Sequence, residues 1–235
     1  MNTREPLMPE AFFAETLRYI DEAISTRDAA LQERPVRPQI GLYANFRDRY
    51  EQIFLGYSSD ETVNQLASRF PAVVDAYEAY VRCPAHTPPD LADLDRYVVS
   101  LWLVSFAILF CVDDSLWHRL LSCIGNEGRD ALFEAVVAAR SPNRKKATGL
   151  LHAKIFQSLF DSIAAEGEQR SVLMRQYLKS WYKALKNAYW VDSHKGKDGG
   201  GFFGYWAVEA AGVVAAFGMD DSAFRDMPYY PRDLR

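Results

Sequence analysis

The sequence predicts an all-α protein of nine or ten helices. Apolar residues recur at spacings of three and four through most of its 235 positions. The breaks between these stretches hold the proline, glycine and capping residues that start and stop helices. No window shows sustained two-residue alternation bounded by hairpin turns. With 49% apolar and 25% charged residues the chain can bury a sizeable core, and disordered, collagen-like and fibrous classes are excluded.

Taken in order, Phe13, Leu17, Ile20 and Ile24 share one face of a helix over 10–33, which Pro35 and Pro38 end. A second helix is expected over about 42–56, with Tyr43, Phe46, Tyr50, Ile53 and Phe54 inward. Ser59 then caps a short helix, and Pro71 sits in the first turn of the next. The loop CPAHTPPDLADL ends near Asp90, the expected cap of a long apolar helix over 91–112. Its uncharged run from Tyr97 to Val112 has sixteen residues, short of the about 20 that a membrane span needs, so it reads as a central core helix.

Further helices are expected near 113–124, 129–140, 147–165, 169–190 and 203–217, separated by GNEG, SPN, EGE and HKGKDGGG. The glycine-rich stretch 193–201 has too little side chain to order itself and is expected to be a mobile surface loop. A division near 125–128 separates subdomains 1–125 and 126–235, the second holding all eight lysines. The net charge of −4 is too mild to signal a dedicated nucleic-acid or membrane binder. Its distribution is uneven: residues 1–120 carry 11 Lys/Arg against 18 Asp/Glu, and 121–235 carry 16 against 13.

Cys83, Cys111 and Cys123 are an odd number without short spacing, which points to free, buried thiols in a reducing cytoplasm. The opening MNTREPLMPEAFF has acidic residues where a secretory leader needs an apolar stretch. Catalytic chemistry has no visible carrier. His118 lies four residues after Asp114, on one helix face, but no second pair completes a metal site, so the two read as a helix-face ion pair. His152 reads as a partly buried polar residue, and His86 and His194 fall in loops. GKDGGG lacks the Lys-Ser/Thr of a phosphate loop, and neither G-x-S-x-G nor H-E-x-x-H occurs. No catalytic residue, metal or cofactor is expected.

The stretch 129–197 holds 13 Lys/Arg against 6 Asp/Glu, with aromatics interleaved in QYLKSWYKALKNAYW. A nucleic-acid-binding helical protein is therefore the alternative reading of function. Against it, Tyr177, Trp181, Leu185 and Ala188 form one apolar stripe and Lys179, Lys183 and Lys186 a solvated face, with no base-reading chemistry beside them. In the C-terminal segment, Ala207, Ala210, Ala211, Gly212 and Ala215 allow close helix approach. Glu209 falls within that apolar helix and needs a buried partner such as a Lys, an Arg, a Trp N–H or a Tyr hydroxyl.

Three pieces of this segment, Gly204-Tyr205-Trp206-x-x-Glu209-Ala210-Ala211, Gly218-x-Asp220-Asp221-Ser222 and Tyr230-Pro231-x-Asp233-Leu234, resemble the C-terminal domain of the PoNi-type immunity proteins. Those proteins are cognate to PoNe-type polymorphic DNase toxins delivered by bacterial type VI and related secretion systems. Residues 42–125, with Arg47-Asp48-x-Tyr50 and the apolar helix leading to Asp113 and Asp114, resemble the family's N-terminal domain, and Trp181 and Trp190 fit its tryptophan-rich approach to the motif. The 10–33 helix and the glycine-rich loop remain outside this resemblance.

The resemblance implies a non-enzymatic, cytoplasmic all-α protein that binds a DNase toxin and blocks it, with no nucleic acid or membrane as partner. A DNase presents a positive groove to phosphate, so an acidic surface suits its inhibitor. The candidate contributors are Asp90, Asp93, Asp95, Asp113, Asp114, Asp220, Asp221, Asp226 and Asp233. Tyr205, Trp206, Glu209, Tyr230 and Pro231 are expected to serve structure rather than partner choice.

Overall fold

Apolar stripes at helical spacing can be buried only against one another, and the described residues do so in nine α-helices. The computed structural model describes residues 3–33 and 35–235, and among these no strand occurs. The helices are α1 (Glu10–Gln32), α2 (Pro38–Ser58), α3 (Val63–Arg82), α4 (Leu94–Leu109), α5 (Asp114–Ile124), α6 (Ala131–Ala138), α7 (Ala153–Ala164), α8 (Gly167–Ala184) and α9 (Val208–Ala216). Contacts group them into two units, each assembled from separate stretches of chain.

The first unit comprises Met1–Pro88, Val112–Cys123 and His194–Gly204. Phe13, Ile20 and Ile24 of α1 are buried, as are Phe46, Tyr50, Ile53 and Phe54 of α2 and Leu66, Phe70, Val73, Val74 and Tyr77 of α3. Phe46 and Tyr77 stack face to face at 4.2 Å. Between Ser59 and Pro71 the outcome differs from expectation. Thr62 forms a capping box with Gln65, and one continuous helix runs through Pro71 to Arg82. The buried face spans the proline on both sides, so its packing outweighs the one backbone bond that Pro71 cannot donate. Arg119 of α5 bridges Asp75 at 2.6 Å and Glu78 at 2.9 Å on α3.

The glycine-rich stretch lies at the surface, with residues 195–198, 200 and 201 exposed, but is pinned at one glycine. Gly199 is buried at φ +67°, and a Cβ there would lie 2.7 Å from Met8 Cε and 2.9 Å from Phe12 Cε2. Phe202 and Phe203 are buried, and Ser58 Oγ donates to the Phe203 carbonyl at 2.8 Å. The side chains that order the stretch lie just beyond its glycines, in residues the sequence placed near the next helix.

The second unit comprises Pro89–Cys111, Ile124–Ser193 and Tyr205–Arg235. Its α4 is buried on nearly every side, from Tyr97 to Ala107. Asp93 rather than Asp90 caps it, accepting from the Arg96 N–H at 3.0 Å, while Asp90 closes the preceding turn through the Ala92 N–H. Asp130 caps α6 through the Phe133 N–H and also accepts from the Leu151 N–H at 2.7 Å and the Tyr97 hydroxyl at 2.9 Å. Held there, residues 147–152 stay outside α7, which starts later than expected. Likewise α8 stops at Ala184, and the chain turns so that Trp190 stacks on Trp181 at 5.2 Å. All three cysteines are free; Cys83 and Cys123 are buried, but Cys111 is exposed, in the left-handed position (φ +49°) that follows α4. No helix among the described residues is long and apolar enough to cross a membrane.

Candidate functional site

The C-terminal motif assembles around Glu209. Its helix, α9, packs against α4 so closely that a Cβ on Gly212 would fall into the Ser105 hydroxyl and 2.9 Å from Ser105 Cα. That approach carries the Glu209 carboxylate into the core, where Tyr177 Oη and Trp181 Nε1 donate to one oxygen at 2.5 Å each and Trp102 Nε1 donates to the other at 2.9 Å. Of the partners the sequence allowed, tyrosine and tryptophan are those used. Burial raises the Glu209 carboxyl above its ordinary value, with the three donors acting in the opposite direction. Burial beside that carboxylate likewise pushes the Tyr177 hydroxyl well up.

The other motif residues tie the tail to this cluster. The Tyr205 ring lies 4.8 Å from Tyr182 and 5.8 Å from Trp190, and Tyr229 stacks on Tyr182 at 5.6 Å. The Ala207 N–H donates to the Tyr229 carbonyl at 2.8 Å, strapping the tail to the start of α9. Tyr230 Oη donates to Asp221 at 3.0 Å, Pro231 is buried and Trp206 is half-buried.

Most of the acidic candidates have structural partners. Asp113 caps α5 through the Leu116 N–H at 2.8 Å, and Asp114 stands exposed in the first turn of that helix. Asp95 accepts from the Tyr189 N–H at 3.0 Å, and its partial burial raises its carboxyl. Asp220 accepts from both the N–H and the hydroxyl of Ser222, which hold its carboxyl below the usual range. Asp221 is buried among Tyr230, Arg225 and Arg235. Arg232 reaches both Asp226, at 2.6 Å, and Asp233, at 3.8 Å. Asp90, Asp93, Asp113, Asp114, Asp220 and Asp226 remain exposed.

The first unit also carries a groove that local sequence spacing does not announce. It encloses about 420 Å³ between α1, α2 and residues 198–203. Phe12, Ile20, Leu55 and Phe202 supply apolar wall, and Glu15, Asp48, Glu51, Asp198, Arg27 and Arg47 supply charge. Arg27 pairs with Asp48, while Arg47 lies 3.2 Å from Asp48 and 3.7 Å from Glu51. Tyr19, on the same groove, is 71% exposed. The available signal was Arg47-Asp48-x-Tyr50 together with the charged positions of α1, but only folding brings them alongside the glycine-rich stretch. Lys179 and Lys183 are exposed on α8 opposite its buried stripe, and Lys186 is exposed in the turn that follows it. No group of three or more His, Cys, Asp or Glu able to hold a metal occurs among the described residues.

No curated protein matches the chain. Among solved structures, protein PA2201 from Pseudomonas aeruginosa is similar in fold, with a TM-score of 0.75 and 16% sequence identity over 99% of this chain and 89% of that one. Two family matches account for nearly all of the sequence. Residues 4–122 match the PoNe immunity protein (PoNi) N-terminal family, a stretch that takes in α1, and residues 128–234 match the PoNe immunity protein C-terminal family, which takes in the glycine-rich stretch and Glu209 with Tyr177 and Trp181. With both halves matched in order, the chain belongs to the PoNe immunity proteins (PoNi).

Proposed function

We propose that the protein protects its producing cell and kin by binding a cognate PoNe-type DNase toxin directly and blocking it. The observation that carries this reading is family membership across both halves of the chain. In this reading the protein acts in the cytoplasm, against a toxin delivered by a type VI or related secretion system, through contact and not catalysis.

Charge supports direct contact. The first unit holds 12 Lys/Arg against 16 Asp/Glu, and the second holds 15 of each, so the entire net charge of −4 belongs to the first. A nuclease that grips phosphate offers a positive surface, and opposite charge speeds encounter between two such proteins. Asp113 and Asp114 of that unit, and the exposed Asp90, Asp93, Asp220 and Asp226, are the sequence candidates able to add to this attraction without leaving the core.

The test is co-expression with the toxin encoded beside this gene. Restored growth and a complex that survives size-exclusion chromatography are expected; neither rescue nor binding would reject the proposal. Changing Asp113 and Asp114 to Lys is expected to slow association in a salt-dependent way.

A further inference from the structure

We infer that the groove between α1, α2 and residues 198–203 is a docking surface for the toxin and takes an arginine- or lysine-bearing segment of its nuclease domain. The inference rests on the proposed immunity function and names where in the first unit that contact is made.

Charge and shape both select this occupant. Four carboxylates and two guanidinium groups line the groove. Its two cations are already engaged, Arg27 by Asp48 and Arg47 by Asp48 and Glu51. Glu15 and Asp198 are exposed and have no ion-pair partner among the described residues, so two negative charges stay uncompensated on one concave surface. An anionic ligand such as DNA is repelled by this arrangement, and a cationic side chain is drawn to it.

The rest of the lining suits the body of such a side chain. Half-buried Phe12 and the accessible edge of Ile20 offer apolar surface to a methylene stem, over the buried Leu55 and Phe202. Tyr19, left 71% exposed, presents a ring on which a guanidinium can stack. Gly200 and Gly201, exposed on the opposite wall, carry no side chain to hold a backbone away. The volume of about 420 Å³ falls in the range of roughly 300–1,000 Å³ typical of ligand sites.

The experiment measures association and dissociation of the full-length protein with the catalytically inactivated nuclease domain encoded by the neighbouring gene. One variant combines Glu15→Lys with Asp198→Asn, asparagine being chosen because it tolerates the left-handed backbone (φ +57°) there. A second is Tyr19→Ala, and a control places Asn64→Lys and Ser68→Lys on the exposed side of α3, outside the groove. The charge variant is expected to associate about tenfold more slowly at low salt, with the deficit shrinking as salt rises. Tyr19→Ala is expected to dissociate about tenfold faster, and the control to stay within twofold of wild type. Unchanged melting temperatures confirm that these exposed substitutions leave the fold intact. If both groove variants bind like wild type, the groove inference is wrong while the immunity function stands. If wild type itself fails to bind, the toxin reading falls, and the inference falls with it.

Discussion

The Trp102 indole N–H donates to the Glu209 carboxylate at 2.9 Å across 107 positions of sequence. With Tyr177 and Trp181 on the other oxygen, three neutral donors from α4 and α8 hold a carboxylate in the core, and no described residue forms an ion pair with it. A carboxylate held this way depends on donor geometry, because hydrogen bonds alone offset its lost hydration.

Removing that carboxylate strands its donors. Glu209→Ala leaves two indole N–H groups and a phenol buried without an acceptor, and is expected to cost about 3–5 kcal/mol in denaturant unfolding.

The same group sets a pH dependence. The folded-state value of Glu209 is raised above its ordinary 4.5, so the native state holds its proton more tightly than the unfolded chain does. Its contribution is therefore fully present below about pH 4.5 and is lost as pH rises through the raised folded value. The stability gap between wild type and Glu209→Gln is expected to narrow over that interval. Urea titrations of both proteins from pH 4.5 to 8 measure it, and a gap that widens contradicts the assignment.

Gly212→Ala is expected to destabilise the protein by about 2–3 kcal/mol, since the added methyl meets Ser105 backbone as well as its hydroxyl and α4 cannot yield without losing its own packing. Adding Ser105→Gly should recover part of the loss, and a double-mutant cycle should show the two sites to be non-additive.

Two glycines of one stretch should respond differently. Gly199→Ala brings backbone strain at φ +67° and contact with Met8 and Phe12, whereas Gly201→Ala, at φ +81° with open space around it, brings strain alone. Amide exchange across 198–203 is expected to accelerate more in the first variant than in the second.

Asp130→Ala removes at once the cap of α6, the acceptor for the Leu151 N–H and the acceptor for the Tyr97 hydroxyl. A loss of about 2–4 kcal/mol is expected, larger than an ordinary cap contributes. A melting temperature within a degree of wild type would show these bonds to be dispensable.

Much of the fold is legible in one dimension because burial recurs with the helical period. Phe13, Ile20 and Ile24, and the stripe Tyr177, Trp181, Leu185 and Ala188, point inward as their spacing requires. Helix limits were less legible. By sequence Asp90 is the expected cap of α4, yet Asp93 takes that role because its carboxylate reaches the Arg96 N–H, while Asp90 serves the preceding turn. Pro71 reads as a boundary, yet α3 runs through it because both flanks are buried in one face. No local spacing singles out Asp130, because two of its three partners, at positions 97 and 151, reach it only in the fold, and the third is at 133.

The sequence by itself determined the all-α class, the need of Glu209 for a buried donor and the family resemblance, because each depends on residue type at short spacing. Tertiary structure alone decided which donors serve Glu209 and how two stretches far apart in sequence, α1–α2 and 198–203, enclose one groove. Those outcomes depend on contacts between segments 28 to 107 residues apart around Glu209 and farther apart still around the groove, and local spacing carries no information about which distant surfaces will meet.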